Sequence, residues 1–150
     1  MVEFVFRRNR ELFNRKAPSI TSKDFKFELI ARIHGDCLYN LKRLISSVIL
    51  QSYENFRLHL AIDKTSNEVI DACSLLSQHP QGAVPFLNKP FPLGTVKVWP
   101  NDGERLYAVG NTVRVLDSLY EENTIIGIID ADDQLCEKKT LEWINSIYKA

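Results

Sequence analysis

The stretch IIGIIDADD, residues 125–133, decides the fold class of this 150-residue chain. Its first five residues are apolar and lack the polar alternation of a strand with one wet face. Such a run is typical of a parallel strand that is covered on both faces. Carboxylates at positions 130, 132 and 133 follow at once, so polar chemistry is predicted at the carboxyl end of this strand.

Strand and helix patterns alternate along the chain from residue 25 onward. Strand patterns occur at 25–34, 56–62 and 96–99, and four prolines between 80 and 92 predict an irregular surface excursion. Apolar residues at helical spacing form four stripes: Leu38, Leu41, Leu44 and Val48; Val69, Ala72, Cys73 and Leu76; Leu106, Val109, Val113, Leu116 and Tyr120; Leu141, Ile144 and Ile147. This alternation predicts an α/β, Rossmann-like fold with a mostly parallel sheet and helices on both faces.

Composition narrows the class of protein. Hydrophobic residues make up 45% and charged residues 25%, which fits one globular domain rather than a disordered chain. The formal net charge is zero, so we expect no nucleic-acid partner. Residues 1–24 form a basic arm with six Lys or Arg against three Asp or Glu, and residues 25–150 form the predicted domain. The arm could touch anionic lipid, although we favour a solvated helix face.

The apolar runs and the cysteines bear on localisation. No run approaches the roughly 20 residues of a bilayer span, and the pair Arg7-Arg8 is not followed by the apolar core of a secretory signal. The three cysteines lie far apart without metal-binding spacing, as in reduced proteins. We therefore expect a cytoplasmic protein that could also contact the inner face of the membrane peripherally.

Polar side chains close three of the predicted strands. His34 ends the strand at 25–34, Asp63 ends the next, and Asp130, Asp132 and Asp133 follow the last. Carboxylates this close repel one another unless protons or a cation intervene, and hard oxygen ligands select Mn²⁺ or Mg²⁺. The alternative is an acidic turn that only caps the following helix. Its position directly after an apolar strand favours metal or phosphate chemistry.

Four segments together resemble family 2 glycosyltransferases of the GT-A fold. Residues 47–56, SVILQSYENF, resemble the family's "SilnQtyknf" signature, and residues 61–67, AIDKTSN, resemble "vvDDgStD". Residues 101–111 are similar to "N.G.a.arN", and residues 128–135, IIDADDQL, resemble "flDaDDwl", the DxD element. They occur in the family's order, so the resemblance implies a GT-A-type domain that binds a nucleotide sugar.

The resemblance also implies roles for particular residues. Asp63 would bond the nucleobase, the turn around His34 would border the same nucleoside, and Asn111 would lie beside the ribose and diphosphate. Asp130 would contact the ribose or the metal.

The metal and the donor follow from the same resemblance. Asp130, Asp132 and Asp133 would hold Mn²⁺ or Mg²⁺ against the diphosphate. The implied activity is transfer of a sugar, with a UDP-sugar as the favoured donor, to a hydroxyl of a glycan or other acceptor. The setting would be polysaccharide or glycoconjugate synthesis.

The chain departs from the family pattern at several positions. Arg32-Ile33-His34-Gly35 replaces the usual Pro-x-Tyr-Asn, and Lys64 and Asn67 replace two acids of "DDgStD". Gly110 replaces a frequent arginine, and Gln134 replaces a frequent tryptophan.

The catalytic residues stay unknown at this stage. The family keeps its acceptor-binding half and its catalytic base after the DxD helix, so we expect the base beyond residue 150 and a truncated or split chain. One alternative is a non-catalytic fragment that binds a nucleotide sugar. The other is a different Mg²⁺-dependent phosphate enzyme, although Gln134 fails the haloacid-dehalogenase pattern of Thr or Val at that position.

Five further residues are predicted to be structural. Gln51 and Tyr53 should fix a helix-to-strand turn, and His59 should be a packed or exposed strand residue. Trp143 and Tyr148 should be core aromatics of the final helix.

Overall fold

A computed structural model describes most of the chain. The described residues are 2–5, for which only the backbone is discussed, 24–35, 37–78, 94–101, 103–119, 121 and 123–149. The basic residues 7–16 of the arm and the proline-rich segment 80–92 lie outside them. The elements are β1 (Val2–Val5), β2 (Lys26–Gly35), α1 (Leu38–Ile49), β3 (Phe56–Thr65), α2 (Asn67–Gln78), β4 (Val96–Trp99), α3 (Tyr107–Leu116), β5 (Thr124–Asp130) and α4 (Thr140–Lys149).

The strands form one sheet in the order β1-β5-β2-β3-β4. The neighbouring pairs β5-β2, β2-β3 and β3-β4 are parallel, and β1 joins β5 antiparallel. The predicted α/β, Rossmann-like fold is therefore confirmed. The chain steps outward from β2 to β4 and then returns to place β5 on the other side of β2, so the strand order reverses between β2 and β5. In doubly wound sheets, ligands bind where the order reverses.

Helices cover both faces of the sheet, as predicted, but unequally. The larger core packs α1, α2 and α4 against one face, to which alternate residues of β2 such as Phe27 and Leu29 contribute. The smaller core lies under α3 and contains Ile30, Ala61 and Val115. The helices α1 and α2, which connect β2 to β3 and β3 to β4, thus lie on one face, and α3, which carries the chain back from β4 to β5, lies on the other.

Helix α3 turns a different face to the sheet from the one that its apolar stripe predicts. Val109 and Val113 are 74% and 46% exposed, whereas Asn111, Thr112 and Val115 are buried. The buried polar groups are satisfied locally, since the Thr112 hydroxyl donates to the Ala108 carbonyl at 2.8 Å. The buried face of α3 is therefore set by its packing against the sheet and not by the predicted apolar stripe. Tyr120, the last residue of that stripe, lies outside the described residues.

Gln51 ties the end of α1 to the beginning of α4. Its side-chain amide donates to the Ser47 and Glu137 carbonyls at 2.9 and 2.7 Å and accepts the Leu141 N–H at 3.1 Å. The Tyr53 hydroxyl donates to the Phe25 carbonyl. Both residues fix the turn before β3, which confirms that prediction.

The two aromatics of α4 differ. The ring of Tyr148 packs edge-on against Phe25 with centroids 6.2 Å apart, as predicted. Trp143 is 68% exposed, so the prediction of a core residue is wrong for it. Trp143 lies on the side of α4 that points away from the sheet, because Leu141 and Ile144 supply the packing face. None of the helices in the described part of the chain combines the length and apolarity of a membrane span.

A buried polar network lies on the α3 side of the sheet. Trp99 Nε1 donates to His59 Nδ1 at 2.9 Å, so Nε2 carries the remaining proton of a neutral ring and donates to Glu28 at 2.6 Å. Glu28 also accepts from Lys26 at 2.9 Å. His59 is therefore a packed structural residue, as predicted. The network puts a carboxylate in the sheet interior with each of its oxygens engaged.

Acid should weaken the fold through Glu28. Burial opposes its ionisation, but hydrogen bonds from His59 and Lys26 outweigh burial and hold the pKa of Glu28 below its ordinary value. A lowered folded-state pKa stabilises the fold above the unfolded value of about 4.3, and this stability is lost as pH falls through the folded value. We expect the melting temperature of the wild type to fall below about pH 4.3 more steeply than that of Glu28→Gln. Parallel curves for the two proteins would contradict this expectation.

Candidate functional site

Four polar side chains gather at the carboxyl ends of three adjacent strands. Arg32 and His34 belong to β2, Asp63 to β3 and Asp130 to β5. The sheet register pairs Arg32 with Asp130 and His34 with Asp63. These residues lie where the strand order reverses, which is the position of ligand sites in folds of this type. Three of the four were predicted as site residues, and Arg32 was not.

Arg32 and Asp130 form an ion pair across the reversal point. Arg32 Nε and Nη2 approach the same oxygen, Asp130 Oδ1, at 2.7 and 2.5 Å. The pair is partly exposed, with side-chain exposures of 21% for Arg32 and 36% for Asp130. Asp130 is thus neutralised by a cation of the chain itself, whereas the sequence had suggested only protons or a metal.

Asp63 is buried and organises the segment that leads into α3. Its Oδ2 accepts the Tyr107 N–H at 2.8 Å, and its Oδ1 accepts from Leu106 N and the Asn101 side chain at 3.3 and 3.1 Å. Arg105 Nε lies 3.9 Å from Oδ2. Tyr107 has a φ of 55°, a left-handed conformation that costs an L-residue about 1–2 kcal/mol. The carboxylate holds that strained helix start in place.

Asn111, a predicted ribose or diphosphate neighbour, is buried in α3. Its Nδ2 donates to the Tyr107 carbonyl at 2.9 Å, and its Oδ1 accepts from Arg114 Nη2 at 3.1 Å. Arg114 also donates to the carbonyls of Trp99 and Pro100 at 2.8 and 2.6 Å. Asn111 therefore supports the junction between β4 and α3, beneath the loop that Asp63 holds.

The turn after β5 carries the other two acids. Asp132 is exposed and Asp133 half-buried, and the Asp133 N–H donates to the Asp130 carbonyl at 3.0 Å. The Leu135 N–H then donates to the Ser47 hydroxyl at 3.0 Å, which anchors the turn on α1. Across the described ranges, no three His, Cys, Asp or Glu side chains form a group that could hold a metal ion.

His34 is exposed and is the last residue but one of β2. The register with β3 shifts between His34 and Gly35, whose φ is 64°. The Thr65 hydroxyl donates to the Gly35 carbonyl, and Lys64 also has a positive φ, of 44°. The irregular strand ends leave the imidazole at the rim of the site, beside the buried Asp63.

Sequence reasoning missed three residues of this site. Arg32, Asn101 and Arg105 all contact a predicted site carboxylate. A signal for Arg32 existed, because a basic residue two positions before the predicted strand end could face the acid that ends a neighbouring parallel strand. Using it required knowing that β2 and β5 are neighbours.

Comparisons of the chain with models of protein families, with curated proteins and with solved structures found no match.

Proposed function

We propose that this chain binds a nucleoside diphosphate sugar, with a UDP-sugar favoured, as the donor-binding part of a GT-A-type glycosyltransferase. The observation that carries the proposal is the meeting of Arg32, His34, Asp63 and Asp130 at the carboxyl edge where the strand order reverses. The DxD-like turn with Asp132 begins at the same edge. The order of four segments that resemble family 2 glycosyltransferases supports the same assignment.

Mn²⁺ or Mg²⁺ is part of the proposal, and the donor set fits it in part. Asp132 offers an exposed carboxylate and Asp133 an adjacent one, while Asp130 already shares Oδ1 with Arg32. Mg²⁺ needs only one or two protein carboxylates when water and phosphate complete its shell. Asp132 and Asp133 would therefore hold the ion, with Asp130 at its border. When bound, the ion would neutralise charge that develops on the leaving diphosphate.

The chain's own residues divide the remaining tasks. His34 at the rim would border the nucleoside. Asp63 has three N–H partners, and a carboxylate accepts about four hydrogen bonds, so a nucleobase N–H would take its last position. Asn111 would act through the loop and helix start that it supports.

Transfer of the sugar to an acceptor hydroxyl is the implied reaction. Inversion at the sugar carbon requires a base that takes the hydroxyl proton. Among the described residues we assign none to that role. The proposed acceptor is a glycan or another hydroxyl compound, and the proposed setting is the cytoplasm, with peripheral contact at the membrane's inner face.

Calorimetry with UDP tests the proposal. UDP titrated into the full chain with MnCl₂ present should bind, and Asp132→Ala should weaken binding at least tenfold, about 1.4 kcal/mol, because a metal ligand is removed. If the wild type showed no binding heat with millimolar UDP, both the proposed transferase and the alternative of a protein that only binds the donor would be contradicted.

A matched control variant and a second assay sharpen this experiment. Asp117 is an exposed carboxylate that follows α3, at the opposite edge of the sheet, so Asp117→Ala should leave UDP affinity within twofold of the wild type. Release of free sugar from a UDP-sugar would separate an active enzyme from a protein that only binds the donor. An equal loss in both variants would point to non-specific charge effects instead.

A further inference from the structure

Arg32 is the described basic residue that forms an ion pair with Asp130 where the strand order reverses. It lies on the strand next to Asp130, and its Nε and Nη2 both contact Asp130 Oδ1. This contact leaves Nη1 of Arg32 and Oδ2 of Asp130 outside the pair. A guanidinium offers five N–H donors in a rigid fork, so one edge can hold a carboxylate while another meets phosphate.

The charges around the site make this arrangement consequential. Asp63, Asp130, Asp132 and Asp133 bring four carboxylates to one edge of the sheet, where a diphosphate would add further negative charge. A second arginine that contacts a carboxylate of the site, Arg105, is about half exposed, and its Nε lies 3.9 Å from Asp63 Oδ2. Arg32 is the more enclosed of the two, so solvent screens its charge less.

We propose that Arg32 is a built-in cation of the nucleotide site, which keeps Asp130 away from the metal and itself contacts the diphosphate. The inference rests on the proposed function and adds a feature of this chain at the position where the resembling family keeps proline. Arg32 positions Asp130 through Oδ1 and meets phosphate through Nη1. A part of the nucleotide affinity is then independent of metal.

Two binding measurements test this role. In EDTA, Arg32→Ala should weaken UDP binding at least tenfold, because the contact to phosphate is lost. With Mn²⁺ alone and no nucleotide, the same variant should bind the ion at least threefold more tightly by electron paramagnetic resonance. The gain is expected because Asp130 becomes available and a nearby positive charge disappears.

Conservative and distant variants control for charge and folding. Arg32→Lys keeps the charge but not the fork, so its UDP affinity in EDTA should lie between those of the wild type and Arg32→Ala. Arg57→Ala removes an arginine at the opposite, amino edge of the sheet, where its Nη1 lies 3.6 Å from Glu28 Oε1, and the folded variant should change neither affinity more than twofold. Melting curves identify any variant that is unfolded, and Arg32→Lys then carries the comparison.

The outcomes separate this inference from the function on which it rests. A wild type that binds no UDP with or without Mn²⁺ overturns both. If the wild type binds UDP and either readout is unchanged in folded Arg32→Ala, the role of Arg32 is overturned and the nucleotide site stands. Loss of metal-free UDP binding together with tighter Mn²⁺ binding supports the built-in cation.

Discussion

Replacing Glu28 by alanine is expected to lower the free energy of unfolding by about 3–5 kcal/mol, because an orphaned buried donor costs about 1–3 kcal/mol and a lost hydrogen bond to a charged group about 1.5–3 kcal/mol. The change leaves the His59 Nε2–H without its acceptor at 2.6 Å and removes the Lys26 contact at 2.9 Å. Chemical unfolding in urea measures the loss. At about 2–4 °C per kcal/mol for a chain of this size, the melting temperature should fall by roughly 6–20 °C.

Two variants test whether burial is the reason. Glu121 contacts the same lysine at 2.7 Å but is exposed, so Glu121→Ala should cost no more than about 1 kcal/mol. Glu28→Gln keeps an oxygen that can accept from His59 and should lose less stability than Glu28→Ala. If Glu28→Ala proved no more costly than Glu121→Ala, the network would not be a stabilising centre of the sheet.

Asp63→Ala is expected to destabilise the protein by about 2–4 kcal/mol, with no nucleotide present. The substitution removes a charged acceptor from two backbone N–H groups and the Asn101 amide, and such bonds contribute about 1.5–3 kcal/mol. The strained helix start at Tyr107 loses its anchor as well. Urea unfolding measures the total, and amide exchange at Leu106 and Tyr107 should accelerate in particular.

An exposed aspartate serves as the comparison for Asp63. Asp71 lies on the outer side of α2, and Asp71→Ala should stay within about 0.5 kcal/mol of the wild type. Unchanged exchange at Leu106 and Tyr107 in Asp63→Ala would show that the carboxylate does not organise this segment, and a role in ligand contact alone would remain.

Four of the five described strands, β2 to β5, were predictable from sequence because each carries a distinct apolar signal. The segment 96–99 was predicted with the bounds that the structure has, and the continuous run at 125–129 marked β5 as covered on both faces. By contrast, β1 is only four residues long and sits in a basic arm, so no periodicity identified it. Its place beside β5 depends on a pairing over more than a hundred residues.

For the candidate site, the sequence predicted which residues lie at strand ends but not which side chains contact them. His34, Asp63 and Asp130 could be predicted as strand-end residues because acids and histidines that follow apolar strands are visible in the sequence, and the structure places them at neighbouring strand ends. The partners of those residues depend on strand order, and for that reason Arg32 was missed. The prediction of which face of α3 is buried was wrong for a related reason. Asn111 and Thr112 satisfy their own polar groups within the helix, and a hydrophobicity pattern cannot register that.

The position of β5 between β1 and β2 has a consequence for how the protein is made. A ribosome finishes β2 about 95 residues before it finishes β5. At about 5–20 residues per second, one edge of β2 therefore waits roughly 5–20 seconds for its partner. During that interval the β5-facing edge of β2 presents unpaired backbone N–H and C=O groups, with which another chain could pair. Expression at lower temperature, or together with chaperones that shield nascent strands, should therefore raise the yield of soluble protein.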